Sequence, residues 1–500
     1  MDYRICSLTG FKIHKTAEDL VKWNMVTAIL FLTLGGFMGL LMALTRWPSV
    51  HYLDATHYYR FLTLHGFNAL LLWILFFEIG LVYFTSAILL NTRVVAPFVG
   101  WIAYALMLVG AMFVNIVVFA GKADVLFTSY VPLKANGVYY LGIIIFAVGA
   151  LTAFGHFFAN IIQAKRDGAY KNTLPLGTFG LAAASIIGVF TLAHGAVIMI
   201  PVFFWSIDLI KYIDPGTYRL IFWALGHASQ QINVCAMVAM WYMSAAFVLG
   251  ANPVNEKLSR TAFVLYILFI NIASEHHLLV DPIFSTWHKV VNTGYMMHLA
   301  VLASMIHAFA IPASMEVALR KKGYTKGLFD WLKNAPWGNP AFSATFLSII
   351  GFGFLGGITG VIFGTEQFNI IRHNTFAITG HFHATVVSGT TVAFMGGTYL
   401  LIPYIFRREI ILPRLAAFQP YLYAIGVAVM LIGMIAAGSY GVPRRHWDIT
   451  FSSAIFPFSF DPSTDIFLSI MGVGGLLAVL GGVIFIIVSL GSIMFGRRTE

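Results

Sequence analysis

The stretch "ITGHFHATVVSG", residues 378–389, decides how the chain is read. It lies inside a long apolar run, yet it carries His381 and His383 two residues apart. An imidazole in hydrocarbon is costly unless something binds it. Two residues along an α-helix turn the chain by about 200° with a rise of about 3 Å. The two rings therefore face opposite sides of one helix and cannot share one ion. Each can bind a different large cofactor, so the segment reads as a divider between two haems, for whose iron histidine is a common axial ligand.

The surroundings are those of a membrane protein. The chain has 500 residues, 59% of them hydrophobic and 10% charged, with mean hydropathy +0.83. No soluble globular domain has that composition. Runs of about 20 apolar residues, enough to span a bilayer, recur from end to end. Twelve are expected, at 24–46, 60–83, 96–120, 137–162, 176–206, 218–249, 260–280, 289–318, 342–364, 372–405, 414–438 and 466–492. The first is too long for a signal-peptide core. The fold class is thus an all-α integral membrane protein, with residues 1–500 as one membrane domain of about twelve helices. Pairs such as Gly35/Gly39 and Gly356/Gly360 read as helix-packing faces.

An even number of spans puts both termini on one side. With those termini cytoplasmic, about two thirds of the 30 lysines and arginines fall on the cytoplasmic side, as the positive-inside rule requires. The formal charge of +10 is then a topology signal, and nucleic acid is not expected as a partner. The 2 cysteines, Cys6 and Cys235, are not expected to pair. There is no C-x-x-C-H for covalent haem and no paired-cysteine copper centre.

Six of the 16 histidines stand at suggestive places. They are His65 in "LTLHGFNALL", His227 in "WALGHASQQINV", His276 and His277 in "ASEHHLLVDP", and His381 and His383. Counted from the outer ends of their spans, all six fall within roughly 20 Å of one membrane surface. Four spans thus place imidazoles in one layer, which a shared buried metal or haem site explains better than isolated packing. His276 and His277 are neighbours and converge on one ion only at a helix end or a distorted turn. Such an end is supplied by "VDP", because the residue before proline leaves the α region. With His227 they make a three-nitrogen site suited to copper, iron or zinc, with an open position.

This pattern resembles subunit I of the haem–copper oxidase superfamily over essentially the whole chain. The resemblance rests on the histidine in the second span, "GH" in the sixth, "HH" after the seventh, "HFH" in the tenth and "GVPRR" at 441–445. It implies that His65 and His383 are axial ligands of a low-spin haem and His381 the proximal ligand of a high-spin haem. It implies that His227, His276 and His277 hold one non-haem metal, copper or iron. Arg444 and Arg445 would bind haem propionates, for which guanidinium is a natural partner. The segments "DVLFTSYVPL" (124–133) and "HHLLVDP" look most like the B-type branch.

One position departs from the oxygen-reducing pattern. Most such members carry a tyrosine four residues after the sixth-span histidine, on the same helix face. Here that residue is Gln231, which can neither form a phenoxyl radical nor give up a proton. Loss of the tyrosine separates nitric oxide reductases from oxidases in this superfamily. The expectation is therefore a catalytic subunit that reduces two NO to N2O and water. The alternative is a B-type oxidase reducing O2 with proton pumping. The better-known reductases carry a glutamate where Gln231 stands, which leaves the second metal open. Tyr295, early in the eighth span, is either a replacement tyrosine or a packing residue. Glu275 beside His276 is a candidate for proton transfer or for supporting a ligand. Glu78, thirteen residues along the second span from His65, stands either on a proton path or against an interior polar group.

The implied partners are the gaseous substrate, membrane lipid and an electron-donating subunit of copper-pair or cytochrome c type. The ultimate donor would be cytochrome c, a cupredoxin or quinol. The implied location is a prokaryotic cytoplasmic membrane. An ion-coupled transporter would also bury polar residues, but six histidines and an arginine pair at these spacings argue against it.

Overall fold

The computed structural model describes residues 2–499 apart from 271, 272, 453 and 457, and the side chains of 270 and 273 are likewise outside the description. A short hairpin, β1 (Tyr3–Ile5) and β2 (Lys12–His14), leads into a helical bundle. The helices are α1 (Lys15–Arg46), α2 (Ala55–Ile88), α3 (Pro97–Phe119), α4 (Gly137–Arg166), α5 (Leu176–Ser206) and α6 (Pro215–Leu249). After them come α7 (Glu256–Leu265), α8 (Thr286–Lys321), α9 (Pro340–Gly364), α10 (Phe376–Phe406), α11 (Pro413–Ser439) and α12 (Ser463–Phe495). Among the described residues, eleven are long and apolar enough to cross a membrane. The exception is the seventh.

The apolar pattern predicts a span at 260–280, and the described residues on either side of 271 and 272 are helical but not uniformly α. Helix α7 gives way to a π-helical turn at Tyr266–Ile270 and then a 3-10 turn at Ala273–Leu278, with residues 271 and 272 outside the described set. The first helix also differs. It starts at Lys15, well before the apolar run, because its polar first turns are paired internally. Buried Glu18 accepts from Arg4 at 2.9 Å and from Lys22 at 2.6 Å.

Helix starts follow local chemistry. Asp214 accepts from Thr217 N at 2.7 Å and Pro215 opens α6; Asn339 and Pro340 do the same for α9. A capping side chain satisfies an orphan N–H, and proline at the first position has none to satisfy. Both termini reach the same end of the bundle. Arg4 donates to Tyr404 O at 2.6 Å, and Arg408 bridges to Arg498.

The bundle is layered by burial. In their most apolar windows α2 and α6 are 83% buried and α10 is 89% buried, against half or less for the other long helices. These three central helices carry His65, His227 and the pair His381/His383. Outside them, α11 and α12 meet backbone to backbone. A Cβ on Gly474 would stand 2.2 Å from Met430 N, and one on Gly433 would stand 2.4 Å from Met471 N. Small residues permit such approach where lipid gives no hydrophobic drive to association.

Gly474→Leu should therefore force α11 and α12 apart, an overpacking cost of roughly 1–3 kcal/mol. The expected outcome is a lower melting temperature in detergent, read by scanning fluorimetry. Gly155→Leu on α4, where a Cβ meets nothing, is the control and should melt close to wild type.

Candidate functional site

Each histidine is aimed by its own helix and by one hydrogen bond. On α2, His65 Nδ1 lies 2.8 Å from Gly35 O of α1. On α10, His383 Nδ1 lies 2.8 Å from Thr379 O. A carbonyl can only accept, so in both rings Nδ1 carries the proton and Nε2 is left with its lone pair. The two rings are nearly parallel, 11° apart, with centroids 6.2 Å from each other. That spacing leaves room for one ion between them with metal–nitrogen bonds of about 2 Å. Gly39 keeps the α1 side clear, since a Cβ there would come within 3.0 Å of the His65 ring.

The ring of His381 belongs to a different subsite. Its Nδ1 lies 3.0 Å from Thr359 Oγ1 of α9. That hydroxyl already donates to Leu355 O, so it accepts from the imidazole. Gly360 leaves space for this ring, as a Cβ would stand 3.0 Å from it. His381 and His383 thus serve opposite flanks of α10.

The other three imidazoles gather in one place. Ligand atoms of His227, His276 and His277 all lie within 4.8 Å of one another. His227 Nδ1 and His277 Nε2 are 3.2 Å apart. Two nitrogens each about 2.0 Å from a tetrahedral ion would be roughly 3.3 Å apart. His276 and His277 sit on the 3-10 turn, with ring centroids 4.2 Å apart. The tighter turn re-aims neighbouring side chains that a regular α-helix would splay. Trp223 stacks on His277 at 3.9 Å and 7°. Gln231 Nε2 lies 3.3 Å from His227 Nε2, the ring nitrogen that does not face His277.

All six rings border one cavity of about 640 Å³. One end of it is cationic, with Arg46, Arg219, Arg444 and Arg445 in the wall. Arg219 pairs with Asp281 at 3.0 Å, and Arg46 donates to Tyr58 Oη at 2.6 Å. Arg445 donates to Thr128 Oγ1 at 3.1 Å and lies over Tyr130 at 5.1 Å. Among the described residues, neither Arg444 nor Arg445 forms an ion pair with a carboxylate. Burial and the adjacent Arg445 pull the Arg444 guanidinium down to about 10, so it stays charged at neutral pH. Guanidinium groups without a carboxylate partner at one end of an apolar cavity suit a ligand that carries carboxylates.

A family model described as Cytochrome C and Quinol oxidase polypeptide I matches residues 19–486. The chain belongs to this family, the haem–copper oxidase subunit I superfamily. It is 31% identical over 396 residues to cytochrome c oxidase subunit 1 of Thermus thermophilus, covering 78% of this chain and 69% of that one. It is 24% identical to quinol oxidase subunit 1 of Bacillus spizizenii, over 90% of this chain and 69% of the other. A solved haem–copper terminal oxidase dimer shares the fold with a TM-score of 0.91, at 24% identity, over 98% of this chain and 86% of that one. The protein is therefore the catalytic subunit of a haem–copper oxidase-family oxidoreductase, a multi-pass membrane protein.

The family binds a low-spin haem, a high-spin haem and a non-haem metal. The residues of this chain fit them. The parallel pair His65/His383 could hold one haem iron, His381 could offer one nitrogen to the other, and the trio could hold the non-haem metal.

Two expected residues stand apart from this cavity. Tyr295 lies in a π-helical turn, Asn292–Met296, which turns its ring outward, 63% exposed; it does not supply a tyrosine to the site. Glu275 is half-buried on the 3-10 turn and is not part of the cavity wall. Sequence reading also missed Arg219 and Trp223. Arg219, Trp223, His227 and Gln231 recur every four positions, so one stripe of α6 runs from the cationic end to the metal trio, and that period was available in the sequence. His373, which is not among the six histidines singled out in the sequence, also borders the cavity. Only the chain crossing at Asn374 and Arg444 puts it there.

His276→Ala should lose the non-haem metal while both haems remain, read by metal analysis and absorption spectrum of the purified enzyme. Full metal content in that variant would remove His276 from the ligand set. His383→Ala should instead lose the low-spin haem bands.

Proposed function

We propose that this chain is the catalytic subunit of a nitric oxide reductase, which joins two NO with two electrons and two protons to give N2O and water. The observation that carries the reading is Gln231, whose amide stands against His227 where oxygen-reducing relatives of the pattern place a tyrosine. An amide supplies neither the electron nor the proton that O–O cleavage draws from a phenol. No described neighbour compensates. Among the described residues the tyrosines around the cavity are Tyr130 and Tyr423; Tyr130 sits with the arginines, and Tyr423 is on α11. Joining two NO takes two electrons, which the haem iron and the non-haem metal would supply when bound, so a site without a phenol suffices.

The haems and the non-haem metal, when bound, supply the stored electrons and the place where the gas is reduced. The chain positions them. Thr359 fixes the His381 tautomer, the carbonyls of Gly35 and Thr379 fix His65 and His383, and Arg444 and Arg445 receive propionates. With a metal on His227 Nδ1, the other nitrogen carries a proton, and Gln231 turns its carbonyl oxygen to accept it. Gln231 thus orients a ligand. The non-haem metal is copper or iron.

A second reading, a B-type oxidase that reduces O2 and pumps protons, is favoured by the names of the relatives, which are cytochrome c and quinol oxidases. In either case electrons come from a partner subunit of copper-pair or cytochrome c type, fed by cytochrome c, a cupredoxin or quinol. The protein sits in a prokaryotic cytoplasmic membrane with both termini cytoplasmic, as the basic-residue bias supports.

Turnover of the reduced, purified complex with NO and then with O2, with N2O measured by gas analysis, separates the readings. We expect one N2O per two NO and slow O2 uptake. Rapid four-electron O2 reduction without N2O would overturn the proposal. Gln231→Leu should weaken the non-haem metal by about 10–100-fold, the usual effect of losing a group that orients a ligand, measured by chelator competition.

A further inference from the structure

Reduction at this site consumes protons, yet among the described residues no Asp or Glu borders the cavity. One carboxyl is nevertheless joined to it by side chains. Glu78, on α2, is 1% exposed and its Oε2 has no hydrogen-bond partner. Among the described residues it forms no salt bridge, and buried Cys235 faces it from α6. An ionised carboxylate in that position lacks compensation, and an acid inside a membrane bundle calls for a function.

Glu78 Oε1 lies 2.9 Å from the side-chain amide of Asn233. Asn233 borders the cavity together with Gln230 and Gln231. In one orientation the amide shows its oxygen to Glu78, and its nitrogen donates to Gln230 Oε1 at 3.1 Å. That arrangement needs a proton on Glu78. In the other orientation the amide nitrogen donates to Glu78 Oε1 at 2.9 Å and to Ser229 O at 3.2 Å. That arrangement serves a carboxylate. Turning Asn233 reverses what Gln230 meets, so Gln230 turns as well, and its neighbour Gln231 stands 3.3 Å from His227 Nε2. Amide orientation follows the hydrogen-bond network around it.

We propose that Glu78 is a proton-storing residue coupled to the cavity through the reversible amides of Asn233 and Gln230, releasing its proton as the gas is reduced to product. The proton leaves a Glu78 oxygen and ends in the product water, the electron comes from the family's redox reaction, and a proton from solvent restores the acid. Glu78 acts through other residues and touches neither metal nor gas, so it is a positioning residue. The inference rests on the cavity being the site of reduction and is indifferent to whether the gas is NO or O2.

The test is reduced-minus-oxidised infrared difference spectroscopy on the purified complex, in H2O and in D2O. We expect a protonated-carboxyl C=O band that moves in D2O, disappears in Glu78→Gln and shifts in Asn233→Ala. The Glu78→Gln enzyme should keep its haem absorption spectrum. Its kcat with whichever gas the wild type reduces should fall about 100-fold, the scale of a lost proton-transfer group, at unchanged KM, with partial rescue in Glu78→Asp. A carboxyl band that persists in Glu78→Gln, or a wild type with no such band, overturns the proposal. If Glu78→Gln is not obtained folded, the band shift in Asn233→Ala decides. Failure of the NO reading would appear in the gas products and leave the infrared result standing.

Discussion

Six imidazoles facing one apolar cavity are tolerable inside a membrane bundle only while every ring nitrogen has a partner. The rest of this structure follows from that constraint. In His65, His381 and His383 the chain answers one nitrogen itself, with Gly35 O, Thr359 Oγ1 and Thr379 O. That choice fixes the tautomer and leaves the other nitrogen for a metal. The three most buried helices are those carrying these rings and His227. Burial keeps water from competing, so the directional bonds to carbonyls and a hydroxyl count for more.

Regular helices alone would not aim the rings. The π-helical segments Gly66–Leu72 and Ala384–Thr391 begin directly after His65 and His383, and a 3-10 turn carries His276 and His277. Departures of this kind recur at functional sites because they change the number of residues per turn without breaking the helix. Below each haem-facing histidine, they also rotate the rest of the helix. The face that Glu78 presents is therefore not one that a 3.6-residue wheel drawn from His65 would assign.

Charge is distributed to match. Four arginines gather at one end of the cavity, where carboxylates of a ligand would be neutralised, while among the described residues no acid shares the wall. An acid beside the metal trio would become a ligand or a counter-charge. Gln231, neutral and bonded to His227, does neither. Glu78, set back behind Asn233, keeps a carboxyl available without placing its charge in the site.

The sequence by itself determined a great deal. Composition and apolar run length dictated a helical membrane bundle, since backbone groups in hydrocarbon must bond within the segment. The 200° between His381 and His383 assigned them to opposite flanks, and "HH" before "VDP" announced a distorted turn. Tertiary structure decided the rest. Exposure of Tyr295, the approach of His373 and the link from Glu78 to Asn233 depend on how helices far apart in sequence rotate and pack. The local turns Asn292–Met296 and Gly66–Leu72 set that rotation. A linear pattern reports which residues share a face of an ideal helix. It does not report where a π turn shifts that face, or which neighbour the shifted face meets.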